Sequence, residues 1–310
     1  MTAKAAGIGL IIVIIIMGSM ACTGEKEPSA IKFGILPVVD TLPLHVAQAE
    51  GFFDEENINM ELIPFNSALE RDAALQAGKI DGFFGDILST IVMIDTGLDV
   101  SIVTVAFEAN PANRMFAILA GSESDIEELS QLKGVEVGIS SATIIEYLLD
   151  KMLSVNDFAP EDIAKLEVKQ MPIRLQMLMG NEIKAALLPE PLVTLAESKG
   201  AKVLTDDRTL DDALTILAFT DDILSEDKTL KERFLKAYGR AVDLINENPE
   251  ATRETLTANT RIPPDIENTY VIPSFPSPDV PSKADVAEVQ DWLQENGIIE
   301  APISYDRVVD

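Results

Sequence analysis

The sequence predicts an α/β protein built as two lobes, and three observations carry that expectation. The chain has 310 residues, enough for two domains of ordinary size or one large one. From Ile31 onward, short apolar runs alternate with longer helical ones, the pattern of sheets covered by helices. Near Asp125 that pattern begins again, so the two halves repeat a plan, although no tandem repeat of sequence is evident.

The elements follow in order. Ile31–Leu36 reads as a strand, and Leu44–Glu50 as a helix announced by Thr41 and Pro43. Asn59–Phe65 is a second strand, after which Asn66 or Ser67 caps a helix that runs to Ala77 with Leu69, Ala73 and Ala77 on one face. Gly82–Gly85 is a short buried strand, Asp86 opens a helix ending near Gly97, and Val100–Phe107 and Met115–Ala120 are strands. In the second half, Asp125–Gln131 reads as a short helix, Val135–Ile139 as a strand and Thr143–Leu153 as a helix. Leu166–Gln170 is a strand, Ile173–Met179 a helix and Ala185–Leu188 a strand; a helix follows Pro191, and Lys202–Leu204 is one more strand. Short connections between alternating strands and helices imply parallel sheets. Leu214–Thr220 reads as a strand returning to the first sheet. The remainder is helical, chiefly Leu230–Asn248 and Ala284–Asn296, apart from Ile272–Pro281, whose four prolines make it an extended segment.

The amino terminus reads as an export signal. Lys4 precedes an uncharged stretch, Ala5 to Ala21, rich in isoleucine, and small residues lead into Cys22, the only cysteine. Ala21 suits a lipoprotein cleavage site, whereas Ser19 stands where such signals usually carry Leu. The expectation is a signal peptide over 1–21, diacylglycerol on the Cys22 thiol and a flexible tether over 22–30. The alternative is an uncleaved anchor, since the apolar stretch is nearly long enough to span a bilayer. Either way the body lies outside the cytoplasm, and a lone cysteine forms no intrachain disulfide.

Composition excludes several chemistries. A net charge of -28 with no basic run argues against nucleic-acid binding. The single histidine, His45, excludes metal sites built from His and Cys, and no calcium-loop, dinucleotide or phosphate-loop spacing occurs. No Gly-x-Ser-x-Gly elbow accompanies His45, which reads as a packed helix residue. No cofactor is expected. What remains are polar loops at the C-terminal ends of the strands, where open α/β sheets bind ligands. They are Pro37–Leu42, Asn66-Ser67, Asp86–Ser89, Ser140–Thr143 and Pro189–Pro191. Each polar residue there also has a purely structural reading, as a helix cap.

These runs carry a resemblance. Pro43–Phe53 (PLHVAQAEGFF), Ala74–Asp81 (ALQAGKID), Leu129–Gly134 (LSQLKG), Ala185–Pro191 (AALLPEP) and Ile245–Glu250 (INENPE) occur in order and at matching spacing. They resemble the ABC-transporter substrate-binding proteins of the nitrate/sulfonate/taurine and thiamine-pyrimidine type. The resemblance implies a type II periplasmic-binding-protein fold, with two lobes joined by two crossings and a ligand cleft between them. Residues 31–116 and 213–310 would form the first lobe, and 117–212 the second. It also implies an ABC permease and ATPase as partners, a monomeric receptor and no enzymatic activity. The ligand contacts it points to are Asp40, Thr41, Asn66, Ser67, Asp86, Ser141, Thr143 and Glu190, with Arg114 and Arg174 as additions or, equally, as interlobe or surface ion pairs.

Asp40, Asp86 and Glu190 in the candidate loops disfavour an anion, because burying several carboxylates against one is costly. The expected cargo is therefore a neutral or cationic organic molecule, such as a heterocycle. Two other readings stay open: a ligand-binding sensor subunit, and an enzyme like the pyrimidine synthases of the same family. Against the enzyme, Ser89 stands nearest to where that branch carries a histidine, and the cysteine-rich motif is missing.

Overall fold

The computed structural model describes residues 30–210 and 213–310. The signal, Cys22 and all of the tether except Ala30 lie outside the described residues. Along the chain run β1 (Ile31–Ile35), α1 (Leu42–Ala49), α2 (Phe52–Glu55), β2 (Met60–Pro64), α3 (Ala68–Gln76), β3 (Gly82–Asp86), α4 (Ile87–Asp95) and β4 (Val100–Phe107). Next come β5 (Phe116–Ala120), β6 (Glu136–Ile139), α5 (Ile144–Ser154), β7 (Ala164–Glu167), α6 (Met171–Met179), β8 (Ala185–Pro189), α7 (Leu192–Ser198) and β9 (Lys202–Asp206). The chain then returns through β10 (Thr215–Thr220) and ends with α8 (Asp221–Glu226), α9 (Leu230–Glu247), α10 (Arg253–Asn259), α11 (Lys283–Glu295) and α12 (Tyr305–Val308). Asp125–Gln131 contains no α-helix, only a 3-10 turn over Leu129–Leu132. The strand expected at Leu166–Gln170 starts earlier, at Ala164.

The strands form two five-stranded sheets of matching order, β2-β1-β3-β10-β4 and β7-β6-β8-β5-β9. Neither is purely parallel, which corrects the sequence expectation. β10 runs antiparallel to β3 and β4, and β5 runs antiparallel to β8 and β9. The reason is topological. β4 and β9 end at the edge where the lobes meet, so the next strand enters the opposite sheet from that edge and must run against its neighbours.

The two crossings are stapled together by Asp207. Its buried carboxylate accepts the backbone N–H of Met115 at 3.0 Å and that of Phe116 at 3.0 Å. Burial raises its pKa to about 7, against the opposing pull of those backbone donors.

The correspondence between the lobes extends to single residues. Arg71 on α3 and Arg174 on α6 are both buried against their own sheets. Arg71 Nη1 donates to Phe84 O at 2.6 Å, and Arg174 Nη1 donates to Leu187 O at 3.0 Å; in both cases the acceptor lies 13 residues on. A Cβ added at Gly34 or at Gly138 would meet the Cγ of the local arginine at 3.3 Å, and the δ-carbon of Ile80 or Ile183 closer still. Gly suits both strands because any side chain there would press first on the isoleucine tip and then on the arginine stem. Gly78 and Asn181 occupy equivalent turns with φ of 61° and 55°.

Arg71 also corrects the expected face of α3. The buried residues are Arg71 and Leu75, while Leu69 is 77% exposed and Ala73 and Ala77 face solvent. Elsewhere the core is apolar. Phe33 on β1, Phe219 on β10 and Phe234 on α9 pack with ring centroids 5.0–6.0 Å apart, fixing the longest helix to the first sheet.

Residues after α9 reach back across the molecule. α11 packs on α4 of the first lobe, yet its Trp292 Nε1 donates to Asp150 Oδ2 of α5 at 3.0 Å, and its ring meets Tyr147 edge to face. Among the described residues no helix is long and apolar enough to cross a membrane.

Candidate functional site

The C-terminal ends of β1, β2 and β3 in one lobe, and of β6, β7 and β8 in the other, carry the predicted residues. After β1 a 3-10 turn, Val39–Thr41, leads into α1 and buries Asp40 and Thr41. Thr41 Oγ1 donates to Val38 O at 2.8 Å and to Leu36 O at 3.2 Å, which locks the turn. Asp40 is 3% exposed, and burial raises its pKa to about 6 despite a hydrogen bond from Thr215 on β10.

Several predicted residues serve their own lobe. Ser67 caps α3 by accepting Glu70 N at 3.2 Å, and Asp86 caps α4 by accepting Ser89 N at 2.6 Å. Burial raises the Asp86 carboxyl, the Ser89 amide lowers it, and Arg71 and Asp72 lie within electrostatic reach. Asn66 is held from outside the strand ends, its Oδ1 accepting from Arg261 Nη2. Thr143 caps α5 through Ile145 N at 3.2 Å, and Ser141 bonds Glu167 at the end of β7 through its amide at 2.8 Å and its hydroxyl. Arg174 is held by its own lobe: Nε and Nη2 donate to Val168 O at 3.1 and 2.8 Å, and Nη1 to Leu187 O. Three of its five N–H donors are spent on those two carbonyls and the side chain is fully buried, so Arg174 ties α6 to the sheet.

Glu190 and Arg114 form an ion-paired cluster. Arg114 Nε donates to Glu190 Oε1 at 2.8 Å, and its Nη2 pairs with Glu197. Glu190 also accepts Thr194 Oγ1 and Thr194 N, both at 3.0 Å, so it caps α7 as well. The triad of Arg114, Glu190 and Glu197 carries one net negative charge.

One buried residue that the sequence reading did not single out feels groups of both lobes. Tyr270, 4% exposed, lies within electrostatic reach of Asp40 from the first lobe and of Glu190 and Arg114 from the crossing and second lobe. Burial, then the two carboxylates, raise its phenol well above the usual value, while Arg114 pulls the other way. Arg261, Glu197 and Glu167 were also missed. Tyr270 sits in a stretch without periodicity beside a proline-rich run, and its only sequence signal is that tyrosine is scarce here, with four in the chain.

His45 is a packed residue. It is 7% exposed on α1, which packs against α9 and α10, its Nε2 makes no hydrogen bond, and burial lowers its pKa to about 4. Among the described residues no three His, Cys, Asp or Glu side chains group as a metal site.

Comparisons with known proteins place this geometry. The structure is similar to the periplasmic aliphatic sulphonate binding protein SsuA from Escherichia coli, with a TM-score of 0.76, 18% identity, and coverage of 91% of this chain and 92% of that one. It is similar to the ligand-binding component of an ABC-type import system from Staphylococcus aureus, solved with zinc bound, with a TM-score of 0.75, 18% identity, and coverage of 91% and 96%. It is also similar to the desulfurization enzyme DSZB, with a TM-score of 0.66, 14% identity, and coverage of 90% and 96%. No curated protein sequence matches. The fold is thus that of the periplasmic binding proteins. The model of the family described as NMT1/THI5 like matches residues 39–252, more than half of the sequence, and the chain belongs to that family.

Proposed function

We propose that this protein is an extracytoplasmic solute-binding lipoprotein that captures a small organic molecule and delivers it to an ABC permease and its ATPase. Residues 31–116 and 213–310 form one lobe, 117–212 the other, and the ligand lies between them. The observation that carries the reading is the pair of matching five-stranded sheets, each with polar loops at the ends of its strands, joined by two crossings that Asp207 ties together. A ligand-binding component of an ABC-type import system and a periplasmic sulphonate binding protein, both of similar fold, support it.

The contact set we propose is Asp40, Thr41, Asn66, Asp86, Arg114, Ser141, Thr143 and Glu190. Ser67 and Arg174 act in support, as a cap and a staple. The cargo is neutral or cationic. Arg114 is already balanced by two carboxylates and Arg71 by Asp72, whereas Asp40 is buried with a threonine partner and no cation. An anion placed there would face net negative charge. The protein acts as a monomer and as a binder rather than an enzyme; its one histidine, His45, is packed on α1 with Nε2 unpaired. Lipid on Cys22 holds the body at the outer face of the membrane.

The test is a calorimetric screen of amines, heterocycles, sulfonates and nitrate against the purified full chain in detergent. Tight binding of an amine or heterocycle is expected; tight binding of a sulfonate or nitrate with none of the others refutes the cargo class.

A further inference from the structure

Residues 260–282, between α10 and α11, hold no regular strand or helix, yet they are anchored at both lobes. Arg261 N donates to Pro37 O at 3.2 Å, and Arg261 Nη2 pairs with Asn66, so the segment begins against the loops after β1 and β2. Asp265 meets Lys199, at the end of α7 in the second lobe, at 2.5 Å. Arg253 Nη1 and Nη2 then grip the carbonyls of Glu267 and Tyr270 at 2.8 and 3.0 Å. Further on, Ser274 Oγ accepts Asn113 Nδ2 at 2.8 Å, beside Arg114 at the crossing. The segment is therefore a strap laid across the opening between the lobes.

The strap delivers one large side chain inward. Val271 is 78% exposed while its neighbour Tyr270 is 4% exposed, so consecutive residues point out and in. The Tyr270 backbone carbonyl is fixed by Arg253, and its hydroxyl makes no hydrogen bond among the described residues without being one of their buried unpartnered atoms, so the oxygen keeps access to solvent. The anchors of the strap at Pro37, Asn66 and Asn113 set Tyr270 between the loop that carries Asp40 and the crossing that carries Arg114, and Asp40, Glu190 and Arg114 all lie within electrostatic reach of it. An aromatic face beside carboxylates is the arrangement that holds ammonium groups and protonated heterocycles, through ring quadrupole and charge together.

We propose that the strap is a third wall of the interlobe site and that Tyr270 is a specificity-determining residue, its ring and hydroxyl contacting an organic cation held by Asp40. This rests on the reading of the interlobe cleft as a ligand site. The cation class follows from Tyr270 and Asp40 together, since either alone would also suit a neutral guest.

The test uses the full chain in detergent and its single tryptophan. Trp292 bridges α11 and α5, so rotation of one lobe against the other changes its surroundings. The probes are choline, its neutral carbon isostere 3,3-dimethylbutanol, 4-aminopyrimidine and methanesulfonate, titrated by Trp292 fluorescence and by calorimetry. The wild type is expected to bind choline or 4-aminopyrimidine in preference to the isostere and the sulfonate. Tyr270→Ala should weaken cation binding by about tenfold or more and erase the preference over the isostere, while Tyr270→Phe keeps the ring and most of that preference. Tyr270→Phe also preserves the packing, so it remains informative if Tyr270→Ala unfolds. Cation affinity within about twofold of wild type in Tyr270→Ala overturns the proposal and leaves the receptor reading standing, as does loss of cation preference in a folded Tyr270→Phe. Methanesulfonate binding above both cations overturns the cation class and the proposal with it, and leaves the receptor reading standing. No response of the wild type to any of the four probes overturns the proposal and leaves the receptor reading standing.

Discussion

In the proposed site the chemistry turns on Asp40. Its carboxyl is buried in the first turn after β1, and burial raises its pKa to about 6 from the ordinary 3.8. An organic cation binds the ionised form, so protonation competes with binding. Affinity should be full at pH 7 and above and fall as pH drops through about 6; Asp40→Asn should bind a cation at least about tenfold more weakly and lose that pH dependence. Calorimetry from pH 5 to pH 8 checks both. The folding linkage runs in its own direction. Between the unfolded value near 4 and the folded value near 6, the folded state keeps a proton the unfolded chain has lost, so this group's contribution to stability declines over that window and is level above it. Ser67, Asp86 and Thr143 illustrate why site residues were only half legible from the sequence. A small polar residue opening a helix after a strand satisfies a capping rule and a binding rule equally, and only the geometry shows all three bonded to their own helices. Tyr270 was illegible for the opposite reason: it obeys no periodicity, and the strap that carries it is placed by Arg253, Arg261 and Asp265 rather than by its own pattern.

At the level of elements, the paired arginines deserve the closest comparison. Sequence periodicity assigns charged residues to solvent, and so gave α3 the wrong face. Arg71 is tolerated inside because Phe84 O, Asp72 and the Phe83 ring receive its guanidinium; Nη2 lies 2.6 Å from Asp72 Oδ1, though not along a hydrogen-bond direction, and that contact is ionic. Arg174 is better satisfied, with three donors on two carbonyls. Arg174→Met keeps much of the stem's packing but strands Val168 O and Leu187 O. We expect a loss of about 2–4 kcal/mol, read as a lower urea midpoint with an unchanged slope. Ligand affinity of the folded fraction should be unchanged, which separates a staple from a ligand contact. Strand positions were legible to within a few residues, because apolar runs bounded by Gly, Pro and Asp mark them well. The direction of β5 and β10 was not, since it depends on the edge from which a crossing strand enters, a property of the whole path.

For the molecule as a whole, the two sheets, the Asp207 staple between the crossings and the C-terminal clasp describe a body with two lobes and limited ways to move. α11 holds the second lobe through Trp292 and Asp150, joined by Lys151 and Glu288 at 2.7 Å, while the strap holds it through Asp265 and Lys199. Closure on a ligand would keep the hinge and adjust these contacts. The two-lobed plan was legible because the strand–helix pattern restarts; the clasp was not, because α11 reads only as an amphipathic helix with no indication of its partner. The central claim, a receptor closing on a small organic molecule, is tested most directly by mass spectrometry of what the purified full chain releases on denaturation. The account predicts one small molecule near one equivalent per chain, neutral or cationic at pH 7. A stoichiometric sulfonate or nitrate contradicts the cargo, and no releasable molecule together with no binding in the calorimetric screen contradicts the receptor itself.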